Sequence, residues 1–131
     1  MAPWLFTEAI LQGKPIKVFN QGKMMRDFTY IDDIVEGVIR IQDKAPAEDV
    51  PYQLFNIGNN DPIQLSRFIH AIENAVGKSA EKIMLDMQPG DVERTYADTS
   101  KLETAVGYKP ATEIEQGISK FVEWYKAYRG I

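Results

Sequence analysis

Apolar residues recur at helical spacing in four stretches of this chain. The clearest stretch ends at Gly77, a residue typical of helix C-termini, and its apolar face consists of Leu65, Phe68, Ile69, Ile72 and Val76. Similar faces predict helices over about 4–11, 34–41 and 113–128. The first of these is stopped by Gly13 and Pro15. A shorter helix is expected over about 99–106, with Asp98 or Ser100 as its cap.

Short apolar runs between turn signals predict strands that alternate with these helices. The predicted strands are Ile16–Phe19, Phe28–Tyr30, Tyr52–Ile57 and Ile83–Leu85. Turns are expected at 20–23, 58–62 and 88–92, and the segment 45–51, with two prolines, is expected to be a surface linker. The order of elements therefore predicts an α/β fold of mixed helices and short strands.

Composition limits the classes of function. The 131 residues, of which 44% are hydrophobic, suffice for one domain. The sequence has no cysteine and one histidine, His70, which excludes zinc–thiolate, thiol-nucleophile and His-rich metal sites. No apolar run reaches the roughly 18 residues of a membrane span. These observations predict a soluble, cytoplasmic protein without a metal site and without membrane or nucleic-acid partners.

The distribution of charge is uneven. The net charge is -4, yet the segment 14–26 carries Lys14, Lys17, Lys23 and Arg26 and no acidic residue. A local cationic island on an acidic protein favours a small anionic ligand over nucleic acid. The Arg26 guanidinium has the geometry to bind phosphate or carboxylate with two parallel hydrogen bonds. The alternative is an ordinary surface ion pair of Arg26 with Asp27, Asp32 or Asp33.

Three further features each have a chemical and a structural interpretation. The adjacent Asp32 and Asp33 suit acid–base chemistry, but carboxylates at the start of a helix are more often caps. The Gln88–Asp91 turn, Q-P-G-D, has polar side chains for a ligand hydroxyl or amide, or is only a turn. The aromatic residues Phe19, Phe28 and Tyr30 either stack on a base or belong to the core.

Five motifs in a fixed order resemble a known enzyme family. They are the predicted first helix, K-P-I-K-V-F-N-Q-G-K-M-M-R-D-F-T-Y-I-D-D-I-V-E-G, Y-Q-L-F-N-I-G, Q-P-G-D-V-x-x-T-Y-A-D-T-S-K-L and G-Y-K-P-A-T. In this order the chain resembles the C-terminal, substrate-binding part of extended short-chain dehydrogenase/reductase enzymes that act on nucleotide sugars. Within that superfamily, R-D-F-T-Y-I-D-D-I and Q-P-G-D-V are most similar to UDP-glucuronate 4-epimerases.

The resemblance implies roles for particular residues. Arg26 would contact the diphosphate of a UDP-sugar, Val18 and Phe19 would approach the uracil partly through backbone groups, and Asp91 would lie where the family holds the ribose. Gln88 stands where galactose epimerases of the superfamily have a phosphate-binding arginine. A phosphate contact by Gln88 is therefore in doubt, and any replacement would come from another basic residue.

Two motifs of this family do not occur in the sequence. These are the glycine-rich turn G-x-x-G-x-x-G, which seats the NAD pyrophosphate, and a Tyr-x-x-x-Lys pair. The resemblance thus predicts a C-terminal fragment that begins at an internal methionine, has no catalytic residue of its own and lacks an N-terminal, Rossmann-type NAD domain. Residues 1–131 would form the nucleotide-sugar-binding portion, with 31–58 packed on the absent domain.

The function implied is the UDP-sugar-binding half of an NAD-dependent epimerase of polysaccharide biosynthesis. Such an enzyme moves hydride from sugar C4 to NAD, rotates the 4-keto sugar and returns hydride to the other face, here between UDP-glucuronate and UDP-galacturonate. The alternatives are a dehydratase or decarboxylase of the same family, or a non-catalytic interaction domain with the same fold. The fragment is expected to form homo-oligomers or to exchange segments.

Overall fold

A computed structural model describes residues 2–47 and 49–131; Met1 and Glu48, one position of the predicted linker, lie outside the described residues. The helices of the described chain are α1 (Ala2–Leu11), α2 (Ile31–Gln42), α3 (Leu65–Val76), α4 (Ser100–Val106) and α5 (Ile114–Arg129). The strands are β1 (Ile16–Val18), β2 (Met25–Arg26), β3 (Ile63–Gln64) and β4 (Lys82–Met84). Mixed helices and short strands are present as predicted.

Helix α3 is the centre of the hydrophobic core. Its Phe68 and Ile72 are fully buried, and it packs on α1 and α5. The predicted apolar face is confirmed for four of its five residues, which are buried, while Leu65 is half-buried. Gly77 ends the helix in the left-handed conformation that glycine adopts without strain.

The strands form two small pairs. β1 and β4 are parallel, with Ile16 opposite Lys82, and β1 alternates buried and exposed side chains. β2 and β3 are antiparallel, with Arg26 opposite Ile63. Because β3 leads directly into α3, the β2–β3 pair is attached to the core helix.

Two predicted strands are wrong. The strand expected over Phe28–Tyr30 lies instead at Met25–Arg26, because only these residues have a pairing partner, and the Phe28 ring stacks on Phe68 with centroids 4.4 Å apart. Tyr52–Ile57 forms no strand, since no other strand of the described chain lies beside it.

The predicted helix caps are only partly correct. Asp32 and Asp33 lie in the first turn of α2, whose N-cap is Tyr30, and neither of the two caps the helix. The N-cap of α4 is Thr99 rather than Asp98 or Ser100. Asp98, the residue before Thr99, nevertheless accepts the N–H of Ser100, the first helical residue, at 3.0 Å through Oδ1. Hydrogen bonding by the Ser100 side chain and, second, by this N–H lowers the pKa of Asp98 below its ordinary value.

One surface of the described chain is apolar. The outer face of α2 exposes Ile31, Val35, Val38 and Ile39, each by 45% or more. Leu54, in the neighbouring irregular segment, is 65% exposed. Surface helices normally turn their apolar stripe inward, so this arrangement is typical of an interface that is open in the isolated chain. In the described residues no helix is long and apolar enough to cross a membrane.

We expect the isolated chain to self-associate through this apolar face. Exposed apolar area costs about 25 cal/mol per Å², so burial against a second copy is favourable. Light scattering across a concentration series should show an apparent mass that rises with concentration. A Val35→Lys, Val38→Glu double variant, which leaves the net charge unchanged, should remain monomeric.

The matched control places the same charges on exposed positions of α3 and α5, as Asn74→Lys with Gln116→Glu, and should associate as wild type does. If the wild-type chain is strictly monomeric and unfolds cooperatively, the chain is stable with the apolar face of α2 exposed, and the expected self-association is wrong.

Glu73 should make the stability of the fold depend on pH. Its burial raises the pKa, but hydrogen bonds from Lys82 Nζ at 2.6 Å and the Ala80 N–H at 2.9 Å outweigh burial and lower the pKa below 4.5. Because the folded-state pKa is depressed, the carboxylate stabilises the fold above about pH 4.5 and this contribution disappears as pH falls through the folded-state pKa.

Glu73→Gln should therefore lower the free energy of unfolding by about 1 to 2 kcal/mol near neutral pH, and by much less in acid, where wild type has lost the same contribution. Urea unfolding at two pH values measures the difference. Glu81→Gln, an equal change of charge at an exposed position, is the control. An equal loss of stability for Glu73→Gln at both pH values would contradict the assignment.

Candidate functional site

Strand β2 presents Arg26 at the edge of the β2–β3 pair. On the side of β2 away from β3, Met25 N–H donates to the Glu93 carbonyl at 2.8 Å, and Thr95 N–H donates to the Met25 carbonyl at 3.2 Å. The segment that follows the Q-P-G-D turn therefore runs beside β2. It brings Asp91 next to Arg26, although the two residues are 65 positions apart in sequence.

The Arg26 guanidinium is held by three acceptors. Nη2 donates to Asp91 Oδ1 at 2.8 Å, and Nη1 donates to the carbonyls of Met25 at 2.8 Å and Glu93 at 3.3 Å. The Arg26 side chain is 24% exposed and the Asp91 side chain 34% exposed, so the ion pair is partly shielded from solvent. A charged fork fixed in this way is suited to binding an anion.

The Gln88–Asp91 turn fixes the position of the Asp91 carboxylate. Asp91 N–H donates to the Gln88 carbonyl at 3.2 Å, and Gly90 has φ of 82°, a left-handed conformation that favours glycine. Asp91 Oδ1 also accepts the Val92 N–H at 2.8 Å. The Gln88 side chain is exposed beside this turn.

Val18 and Phe19 lie at the end of β1, next to β4. The Val18 side chain is 1% exposed and belongs to the core, and its carbonyl accepts the Leu85 N–H at 2.9 Å. Phe19 is half-buried and begins a 3-10 turn, Phe19–Gly22, in which Asn20 and Gln21 have positive φ. Any ligand contact of Val18 is thus limited to backbone groups.

The aromatic platform considered from the sequence does not form. Phe28 is half-buried and stacks on Phe68 of the core. Tyr30 lies over Gly117, where an added Cβ would approach the Tyr30 ring to 3.2 Å. Phe19 is not part of either contact.

The ion pairs considered for Arg26 from the sequence are also wrong. Asp27 points elsewhere, and its Oδ2 accepts the backbone N–H groups of Asn60 at 3.0 Å and Ala97 at 3.3 Å. A Cβ added at Gly58 would lie 3.1 Å from the same oxygen, so three segments meet closely at Asp27. Sequence reasoning missed this junction, and its one signal was the glycine at position 58.

The four cations of the island have different surroundings. Lys14, Lys17 and Lys23 are exposed, whereas Arg26 is half-buried and hydrogen-bonded. Exposed lysines contribute a diffuse positive potential, which solvent and salt screen. Of the four cations, Arg26 is therefore the one whose charged group is held in a fixed position.

A separate cavity of about 400 Å³ lies between the first turn of α1, the start of α2 and α5. Aromatic side chains such as Trp4, Tyr30 and Trp124 line it, with Glu113 the charged residue of its wall. Arg26 and Asp91 are not part of this wall. Among the described residues the wall of this cavity has no Lys or Arg, so the Arg26–Asp91 site is the better candidate for an anionic ligand.

Comparisons with known proteins agree on one family. A family model described as GDP-mannose 4,6 dehydratase matches residues 4–121. Protein CapI of Staphylococcus aureus is 44% identical over 142 residues, which cover 98% of this chain and 42% of that protein. A probable UDP-glucuronate 4-epimerase of Rhizobium meliloti is 40% identical, with 95% of this chain and 41% of that protein covered.

The fold has solved counterparts as well. The crystal structure of UDP-glucuronic acid 4-epimerase from Bacillus cereus, in complex with UDP-glucuronic acid and NAD, superposes with a TM-score of 0.85 at 30% identity. The superposition covers 98% of this chain and 40% of that one. The chain thus spans less than half the length of the relatives it matches.

Proposed function

Because this chain belongs to the extended short-chain dehydrogenase/reductase enzymes that epimerise or dehydrate nucleotide sugars, and corresponds to their C-terminal part, we propose that it binds the UDP-sugar of an NAD-dependent 4-epimerase. The proposed reaction of the complete enzyme interconverts UDP-glucuronate and UDP-galacturonate at C4. The observation that carries the proposal is the Arg26 guanidinium, fixed by Asp91 and two carbonyls at the edge of β2.

The proposed ligand contacts follow from this geometry. Three of the five N–H donors of Arg26 have protein acceptors, which leaves two for diphosphate oxygens. Asp91 accepts a ribose hydroxyl, and backbone groups of Val18 and Phe19 approach the uracil. Gln88 carries no charge, so its contact with the ligand is at most a neutral hydrogen bond.

We propose further that residues 31–58 pack on an NAD-binding domain. The exposed apolar face of α2 supports this arrangement, because its four aliphatic side chains are each 45% or more exposed in the described part of the chain. The area they expose is of the kind that domain interfaces bury.

The described chain does not itself fit NAD. Helices α2 to α5 each begin after a residue other than glycine, namely Tyr30, Gln64, Thr99 and Glu113. A dinucleotide pyrophosphate needs a glycine-rich turn at a helix N-terminus for close approach of the backbone. NAD, the cofactor of this family, is therefore expected to bind outside this chain, and we assign no step of the hydride chemistry to these residues.

A 4,6-dehydratase is the second candidate, since the matching family model is described as GDP-mannose 4,6 dehydratase. Product analysis with two substrates separates the candidates. With UDP-glucuronate, an epimerase yields an isomer of unchanged mass and a decarboxylase releases carbon dioxide. A 4,6-dehydratase leaves UDP-glucuronate unchanged, because C6 is a carboxylate with no hydroxyl to lose, and releases water only from a nucleotide hexose that has a C6 hydroxyl.

Arg26 should supply diphosphate affinity in the full-length protein. Charge-assisted hydrogen bonds of this kind contribute roughly 1.5 to 3 kcal/mol, so Arg26→Ala should weaken UDP binding about tenfold or more in calorimetry. Lys23→Ala removes an exposed cation of the same island and should change the affinity by less than about twofold. A UDP affinity of Arg26→Ala within twofold of wild type would contradict the role of Arg26, whereas no UDP binding by the wild-type protein would favour a non-catalytic interaction domain.

The isolated 131-residue chain should neither bind NAD nor epimerise UDP-glucuronate. The physical reason is that helices α2 to α5 have no glycine-rich turn at their N-termini to bind a pyrophosphate. Titration with NAD and an assay of the purified chain test this expectation, with the full-length protein as the positive control. Turnover by the chain, free of host enzyme, would overturn it.

A further inference from the structure

We propose that Asp91 is a positioning residue for Arg26, in addition to any contact it makes with the ligand. Through Oδ1 it holds the guanidinium in the orientation that a nucleoside diphosphate requires. This inference rests on the proposed function, because it concerns the diphosphate half of the same site.

The two oxygens of Asp91 have different surroundings. Oδ1 accepts hydrogen bonds from Arg26 Nη2 and from Val92 N–H, both at 2.8 Å. Among the described residues Oδ2 accepts no hydrogen bond, so it is available to a ligand hydroxyl. One carboxylate thereby connects the position of a ribose with the position of a diphosphate.

Asp91 can orient Arg26 because Asp91 is itself fixed from both sides. The turn that precedes it is closed by the Asp91 N–H to Gln88 carbonyl bond and by Gly90 at φ of 82°. The segment that follows is attached to β2 by the hydrogen bonds of Met25 with Glu93 and Thr95. A long, flexible arginine held by such a rigid acceptor has already lost rotamer freedom that it would otherwise lose on binding.

A competing effect acts in the opposite direction. The negative charge of Asp91 repels a diphosphate, so removal of this charge alone would raise UDP affinity. If Asp91 acts mainly by holding Arg26, its removal lowers UDP affinity instead. Uridine lacks the diphosphate and reports on base and ribose contacts only, so the ratio of UDP to uridine affinity isolates the effect on the diphosphate.

The experiment measures UDP and uridine binding by calorimetry on the full-length protein. Asp91→Ala should weaken UDP about fivefold more than uridine, because Arg26 loses its charged acceptor. Asp91→Asn retains an acceptor oxygen for Arg26 and should recover most of the affinity ratio. Asp86→Ala, which removes an exposed carboxylate from the same stretch of chain, should leave the ratio unchanged.

A double variant tests whether the effect passes through Arg26. In the Arg26→Ala background, Asp91→Ala should no longer lower the ratio of UDP to uridine affinity, and relief of the charge repulsion should raise it slightly. Equal losses for UDP and uridine in Asp91→Ala, or a rise in UDP affinity relative to uridine, would overturn the inference while Arg26→Ala still weakens UDP. If Arg26→Ala leaves UDP binding unchanged, the proposed function fails together with this inference.

Discussion

Backbone pairing on both sides of Met25 is the constraint on which the candidate site depends. On one side Met25 lies opposite Gln64 of β3, and on the other it exchanges hydrogen bonds with Glu93 and Thr95. A strand of two residues has little stability of its own, so β2 exists because both neighbours are present. The same pairing sets which residue of the Q-P-G-D turn reaches Arg26.

Helix α3 of the core holds strand β2 in place. Leu65, the first residue of α3, donates its N–H to the Met24 carbonyl at 2.8 Å, and Phe28 stacks on Phe68 one turn further along. The residues on both sides of β2 are therefore anchored to the same buried helix. This attachment matters for the position of the Arg26 guanidinium, because a small change in the orientation of the backbone at β2 displaces the end of the long arginine side chain by a larger distance.

The sequence predicted the long elements well and the short ones poorly, for a physical reason. Helices such as α3 and α5 carry a local apolar period, and their ends carry local stop signals. β2 has no local signal, because its two residues are a strand only through partners at 63–64 and 93–95. Tyr52–Ile57 is the opposite case: its sequence pattern is typical of a strand, but the segment is irregular because no neighbouring strand pairs with it in the described chain. Arg26 and Asp91 were found separately from motifs, but their contact across 65 positions depends on tertiary structure.

Helix α2 is attached to the rest of the chain by polar contacts rather than by an apolar stripe. Asp33 accepts the Thr112 N–H at 3.0 Å and lies 3.3 Å from the Tyr108 hydroxyl, whose pKa is raised by burial and by the Asp33 charge. On the same helix Gly37 permits close approach of Ile57, to which an added Cβ would come within 3.1 Å. Four aliphatic side chains of α2 (Ile31, Val35, Val38 and Ile39) are exposed and only Ile34 and Ile41 are half-buried, which inverts the usual arrangement of a surface helix. Helix α2 thus forms its polar contacts within the chain and exposes apolar side chains that a second domain could bury. This inversion supports the proposed packing of residues 31–58 on a second domain.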